Sequence, residues 1–266
     1  MRGTINALLK RMLPMAFYNA LRAARDIEGH LASLHFLFAK HHALSFLKRI
    51  VLLARLYYIS VRIESLHTQK EMLTFIKSIF ALPKDAPGVL VEAGCYKGSS
   101  TAKFSLAAKA AGRELVVFDS FEGLPNSREH HSKTIYGFPV KFRAGDFRGG
   151  LEEVKTHVRK YGDITCCRFV KGWFEESLPH FNQPIAAAYL DVDLVSSTKT
   201  CLKFLYPLLI PGGFLYSQDG HLPLVVETIE DSSFWEREIG ISSLPCIEGL
   251  RQNKLIKIVK KFPRSA

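Results

Sequence analysis

From Val89 onward, short runs of apolar, β-branched residues alternate with stretches whose apolar positions recur at helical spacing. That alternation is the mark of a parallel sheet with crossover helices. The runs predict strands over Val89–Glu92, Leu115–Asp119, Cys167–Lys171, Ala186–Asp191 and Phe214–Ser217. Between them the periodicity predicts helices near Ser99–Ala111, Leu151–Tyr161 and Ser197–Leu208. Pro211-Gly212-Gly213 interrupts the chain before the fifth strand, and Leu222–Glu238 reads as a further helix. Ser243–Ile247 and Lys254–Lys260 flank a polar loop and read as an antiparallel pair closing one edge.

The first quarter of the chain follows another pattern. Over Phe46–Ile63, apolar residues recur at Phe46, Ile50, Leu53, Leu56, Tyr57 and Val61 with basic residues between them, which predicts a helix. Residues 1–66 therefore read as a helical extension and 67–266 as the body. Two roles fit such a segment: a cap packed on its own domain or on a second subunit of a homo-oligomer, or an amphipathic basic helix lying on an anionic membrane surface. Ala43–Ile63 contains Lys48, Arg49, Arg55 and Arg62, too many charges for a bilayer span. The apolar run Met12–Leu21 is followed by Arg22 and Arg25 rather than a small-residue cleavage site, which argues against a signal peptide.

Charge sharpens this division. The net charge of +11 is uneven: residues 1–66 hold ten basic residues against three acids, or +7, leaving +4 for the other 200. The hydrophobic fraction of 47% and charged fraction of 23% exclude a disordered or fibrous chain. Five cysteines without a C-x-x-C pair give neither a disulfide framework nor a structural zinc site, so a reducing, cytoplasmic setting is expected, peripheral to the inner membrane face if the extension docks there. His41-His42 and His130-His131 lack helical ligand spacing and read as surface or loop histidines, and Cys166-Cys167 and Cys201 read as core. Lys141, Arg143 and Arg148 read as a solvated basic face.

In a sheet of this kind ligands bind beyond the carboxyl ends of the strands. The first strand runs into V-E-A-G-C-Y-K-G-S-S, placing Glu92, Gly94, Gly98, Ser99 and Ser100 at a strand-to-helix turn. Such a turn lets the backbone approach a ligand and offers a helix N-terminus, or it is simply tight. Its glycines do not follow G-x-G-x-x-G. Asp119 closes the second strand, 27 residues after Glu92, where an acid can accept both hydroxyls of a ribose or cap a helix. Together these ends favour an adenosine-containing cofactor. The fourth strand ends in L-D-V-D-L and the fifth in Y-S-Q-D-G-H, bringing Asp191, Asp193 and Asp219 towards one place. Three converging carboxylates call for protons or a cation, and hard oxygen donors favour Mg²⁺. The alternative is that each acid caps its own helix.

The motifs V-E-A-G-C-Y-K-G-S-S, F-D-S-F-E-G-L-P, K-G-W-F-E-E-S-L-P, L-D-V-D-L-x-x-S-T and Y-P-L-L-I-P-G-G, in that order, resemble the macrocin O-methyltransferase family over about residues 70–260. The resemblance implies an α/β fold, the class I methyltransferase (Rossmann-like) sheet of seven mostly parallel strands with helices on both faces. It implies an S-adenosylmethionine- and Mg²⁺-dependent O-methyltransferase acting on a sugar hydroxyl of a natural product or glycoconjugate. Residue by residue, it places Glu92 and Gly94 on the cofactor's methionine and ribose side, Asp119 on the ribose, and Ser120, Phe121 and Trp173 near the adenosine, with Gly98 and Ser99 also cofactor-binding. Asp191, Gln218 and Asp219 would hold the metal, and Asp193 would be the general base.

Gln218 stands where the family has an acid and Val195 where it has a tyrosine; Gln218 still offers a carbonyl oxygen, with one negative charge fewer. Two other roles stay open, a binding module with a degenerate metal site and a methyltransferase of a catechol-like acceptor. A nucleic-acid substrate is not expected, because no aromatic-basic interleaving or N-P-P-Y-like tetrad accompanies the catalytic strands.

Overall fold

The computed structural model describes residues 13–39 and 44–262. His41, His42 and Met12 lie outside the described residues. Among those described, helices α1 (Met15–Ala24), α2 (Ile27–Phe38), α3 (Phe46–Arg62) and α4 (Gln69–Ala81) precede the sheet. Their starts are chemically marked. Asp26 opens α2 by accepting from the Gly29 N–H, and Thr68 opens α4 in a capping box with Glu71.

The strands are β1 (Val89–Ala93), β2 (Leu115–Asp119), β3 (Cys167–Lys171), β4 (Ile185–Leu190), β5 (Leu209–Ser217), β6 (Cys246–Glu248) and β7 (Ile256–Val259). They form one seven-stranded sheet in the order β3-β2-β1-β4-β5-β7-β6. The first five run parallel, β7 is antiparallel to β5, and β6 is antiparallel to β7. The parallel strands are linked through α5 (Ser99–Ala111), α6 (Leu151–Tyr161), the one-turn α7 (Phe174–Ser177) and α8 (Val195–Leu205), and α9 (Pro223–Glu230) follows β5.

Strand periodicity divides the core into two layers. Leu90, Leu115, Val117 and Tyr189 face α3, α4, α5 and α6, where they join Leu56, Phe75, Phe104 and Val154. Val91, Val116, Phe118, Ala188 and Leu190 face α8 and α9, with Leu202, Val226 and Trp235. All six residues of β4 are buried, as a central parallel strand covered on both faces requires.

Several boundaries depart from the sequence reading. β5 begins at Leu209 and runs through Pro211-Gly212-Gly213, because a register irregularity against β4 absorbs those residues while the Gly212 N–H still pairs with the Lys260 carbonyl. The helix expected over Leu222–Glu238 stops at Glu230, where Asp231 turns extended and caps a new one-turn helix through the Ser233 N–H. β4 stops at Leu190, so Asp191 lies beyond the strand. His131 is buried against the ring of Phe142 rather than exposed. Cys201 is buried, Cys166 and Cys167 are half-buried at an edge strand, and all five cysteines are free. No helix among the described residues is long and apolar enough to cross a membrane.

The extension has no core of its own. Phe36, Leu53, Leu56 and Ile59 sit in the same cluster as Phe75, Leu90 and Phe104 of the body. Truncating Leu56, which is fully buried, to Ala should therefore destabilise the whole molecule by about 2–5 kcal/mol. Both tryptophans, Trp173 and Trp235, lie in the body, so their fluorescence reports on it. A urea titration of Leu56→Ala followed by that fluorescence should shift its single midpoint downward, whereas an unmoved midpoint would mean that the two segments unfold independently.

Candidate active site

The strand registers set the carboxyl ends of β1, β2, β4 and β5 at one level. Ala93 is opposite Phe118 and Leu190, and Leu190 is opposite Ser217. Of the next residues, Gly94, Asp119 and Asp191 consequently line one crevice, and Gln218 is buried beside it. Gly94 has φ +82°, and a Cβ there would stand 2.1 Å from the Asp191 carbonyl oxygen, so only glycine lets β1 leave the sheet past β4. Asp119 fastens the same turn. Its Oδ2 accepts from the Cys95 N–H at 2.7 Å and its Oδ1 from the Phe121 N–H at 2.7 Å. Each oxygen keeps a further lone pair, and burial holds the carboxyl above its ordinary pKa despite those backbone donors.

The crevice opens into a cleft of about 1130 Å³ with a solvent-exposed mouth. Of the residues expected at the cofactor, Gly94, Ser99, Asp119, Ser120 and Trp173 are on its wall. Gly98 and Phe121 are not on that wall: Gly98 starts α5 in a left-handed conformation, and Phe121 is buried with φ +58°. Glu92 is also off the wall. It is wholly buried within β1, and neither carboxylate oxygen completes a hydrogen bond. Burial pushes it up to about 8, with the hydroxyls of Ser100 and Thr101 easing the shift.

The second half of the cleft is acidic. One oxygen each from Asp191, Asp193 and Asp219 lies within 4.8 Å of the others. Asp193 sits at φ +59° in a tight turn closed by the Leu194 N–H on the Val192 carbonyl at 2.6 Å. Asp219 holds that turn: its Oδ2 accepts from the Val192 and Asp193 N–H groups, both at 3.0 Å, while its Oδ1 is buried without a partner. Burial, then the charge of Asp191, pushes Asp219 up to about 7. Burial and the other two acids push Asp193 well above the carboxylate range. Asp191 goes the other way, because the cations and histidines around it outweigh its burial. An all-oxygen trio with an orphaned inner oxygen fits a hard divalent cation.

Gln218 does not join the trio. It is buried, its Oε1 accepts from the Tyr189 hydroxyl at 2.5 Å, and it lies off the cleft wall. His221 lines the cleft, and burial followed by Lys254 pushes it down to about 4, so it is neutral at pH 7. Lys141, Arg143 and Arg148 are exposed outside the cleft.

Two further wall residues were not read from the sequence. The His67 Nε2 meets Asp191 Oδ2 at 2.8 Å, and its Nδ1 lies 3.3 Å from the Ser65 hydroxyl. Lys254, from the loop before β7, lines the cleft, and the charge of Glu71, followed by those of the three acids, outweighs its burial and raises its pKa. Neither residue belongs to a motif.

Glu92 carries a measurable consequence. Its folded pKa of about 8 lies above the ordinary 4.5, so the folded chain binds the extra proton between those values and loses stability as the pH rises through them. Glu92→Gln should remove that loss, up to about 1.4 kcal/mol per pH unit. Urea midpoints of both proteins across this range check it; parallel curves would count against a buried proton at Glu92.

The sequence model described as Macrocin-O-methyltransferase (TylF) matches residues 68–236. The chain is 32% identical over 155 residues to the 8-demethyl-8-(2,3-dimethoxy-alpha-L-rhamnosyl)-tetracenomycin-C 4'-O-methyltransferase of Streptomyces olivaceus, covering 56% of this chain and 59% of that one. It is 28% identical to the mycinamicin III 3''-O-methyltransferase of Micromonospora griseorubida, covering 57% and 62%. The match thus spans less than two thirds of either relative. Among solved structures, the O-methyltransferase NovP superimposes with a TM-score of 0.60 at 22% identity, over 73% of this chain and 81% of that one. The calicheamicin methyltransferase CalS11 does so at 0.56 and 18%, over 87% and 91%. These two establish the class I methyltransferase fold. With more than half of its length matched by the family model, the chain belongs to the macrocin-O-methyltransferase family.

Proposed function

We propose that the protein is an S-adenosylmethionine-dependent O-methyltransferase acting on a sugar hydroxyl of a small natural product or glycoconjugate, with a divalent cation held by Asp191 and Asp219 beside the general base Asp193. The observation that supports this reading is one cleft walled by Asp119 at the end of β2 and by Asp191 and Asp193 beyond β4, with Asp219 buried behind them and within 4.8 Å of both. Relatives named for methylating sugars support the acceptor class. The position of Gln218 bears on the departure noted above: it is engaged by Tyr189, and Asp191 and Asp219 stand together without it.

S-adenosylmethionine supplies an electrophilic methyl group, and a divalent cation at the trio lowers the pKa of a hydroxyl bound to it. The chain does the rest. The second lone pairs of Asp119 are left to receive ribose hydroxyls, and Trp173 offers a flat apolar wall to a base. Asp193, raised on its turn and facing the cleft, takes the acceptor hydroxyl's proton. Asp191, kept ionised beside His67, anchors the charge, and Asp219 fixes the turn that aims Asp193. Burying both reactants in one cleft replaces a bimolecular encounter by a positioned one.

Two experiments separate these roles. Asp119→Ala should weaken S-adenosylmethionine binding by about 1.5–3 kcal/mol in titration calorimetry, the loss of a charge-assisted hydrogen-bond partner. Unchanged affinity would remove Asp119 from the ribose. Asp191→Asn should weaken Mg²⁺ binding and be partly rescued by added Mg²⁺, whereas Asp193→Asn should lower kcat about 10²–10⁴-fold and resist rescue. Incubation with labelled S-adenosylmethionine and a panel of glycosides, with and without Mg²⁺, provides that turnover. Rescue of Asp193→Asn by Mg²⁺ would contradict the division of labour.

A further inference from the structure

Helix α3 is apolar on two opposite faces. One face, with Leu52, Leu53, Leu56 and Ile59, is buried in the core. The other points outward, with Leu47 69%, Val51 52%, Tyr58 50% and Ile50 41% exposed. On α2, Ile27, Leu31, Leu34 and Phe38 form a second outward stripe at helical spacing, each more than half exposed. The two meet where the rings of Phe38 and Phe46 pack at a tilt of 41° with centroids 6.0 Å apart. Apolar surface arranged in such a stripe needs a partner.

Charge identifies the partner. Helix α3 carries Lys48, Arg49, Arg55 and Arg62 and no acid at all. Arg49 turns back onto the carbonyls at the end of α2, but the other three flank the outward apolar strip. Arg55 donates to the carbonyls of Tyr161 and Gly162, and Arg62 lies 4.9 Å over the Tyr58 ring; among the described residues neither forms a salt bridge with an acid. Nearby acids are engaged: Glu28 with Lys70, Glu64 with Lys97, and Asp163 with Thr165, within electrostatic reach of Arg55 and Lys109. Between α3 and α5 runs a groove floored by Leu47, Val51 and Leu106 and rimmed by Lys48, Arg55 and Lys109, with Asp163 the one acid on its lining. An acyl chain suits such a floor, and lipid phosphates suit such a rim. A second copy of the chain would instead bring one acid-free cationic helix against another.

We propose that the outward faces of α2 and α3 dock the protein on an anionic phospholipid surface, with apolar side chains in the interfacial layer and Lys48, Arg55 and Arg62 at the headgroups. This reading is independent of the methyl-transfer chemistry.

Co-sedimentation of the full chain with phosphatidylcholine vesicles, with and without phosphatidylglycerol, tests it. Binding should require phosphatidylglycerol and weaken as salt rises. Lys48→Gln with Arg55→Gln should lower the partition coefficient roughly thirtyfold, the effect of two headgroup-level cations. Leu47→Asp with Val51→Asp should abolish binding, and both pairs should keep the wild-type thermal midpoint because all four side chains are exposed. Three results would overturn the proposal. One is no binding or equal binding to neutral vesicles, another is vesicle binding that both pairs leave intact. The third is a concentration-dependent dimer, dissolved by Leu47→Asp with Val51→Asp, in a chain that ignores anionic vesicles.

Discussion

The structure turns on the repulsion among three carboxylates gathered at the ends of β4 and β5. At the 4.8 Å separation that bounds the trio, two full charges repel by about 3–4 kcal/mol at an effective dielectric of 20. Three ionised acids cannot share that space unaided. Asp191 is held ionised by His67 and Lys254, while Asp193 and Asp219 retain protons more readily than ordinary carboxyls. Asp219 further spends one oxygen on the two N–H groups that bend the chain at Asp193. A cation arriving there would replace those protons, which is why the architecture and the proposed chemistry are the same problem.

The segment before Thr68 is part of that solution rather than an appendage. Arg22 of α1 donates to the carbonyls of Ser65 and His67, and the linker they hold supplies one wall of the cleft. Glu64 pairs with Lys97, which ties the linker to the turn after β1. The family match begins at residue 68, just past these contacts, so the part of the chain outside it completes the site. Packing explains why the helices stay: they cover the face of the sheet on which Tyr189, Phe214 and Tyr216 would otherwise meet water.

Much of the fold is visible in the sequence because its central strands β1, β2 and β4 are covered on both faces, and such coverage demands nearly uninterrupted apolar runs. Leu115–Asp119 and Cys167–Lys171 match their strands at both ends. What escaped depends on contacts that no local pattern records. β4 ends at Leu190, so Asp191 and Asp193 share the cleft through a turn with positive φ rather than through strand alternation. Gln218 was legible as a departure from the family pattern, but its engagement by Tyr189, 29 positions away, was not. His67 is 124 residues from the Asp191 it binds, and as a lone histidine in a linker it carries no periodicity or spacing.

The acids that were legible were open to two readings, as ligand groups or as caps, and the structure makes these readings compatible. Asp119 accepts from two backbone N–H groups beyond β1 and β2, Asp219 from two beyond β4, and Glu129 from the Val195 and Ser196 N–H groups that open α8. Each fastens a strand-end loop with a pair of charge-assisted hydrogen bonds. A carboxylate has about four acceptor positions, so fastening a loop uses half of them and leaves the rest available. Where the remainder faces the cleft, as at Asp119, or stays buried beside other acids, as at Asp219, a loop fastener keeps acceptor positions that a ligand can use. Glu129 shows the limiting case: its carboxylate lies off the cleft wall and serves the helix, with His131 Nε2 3.6 Å from one of its oxygens. The direction in which the unused lone pairs point, set by the turn each acid secures, is what separates a cap from a ligand in this fold.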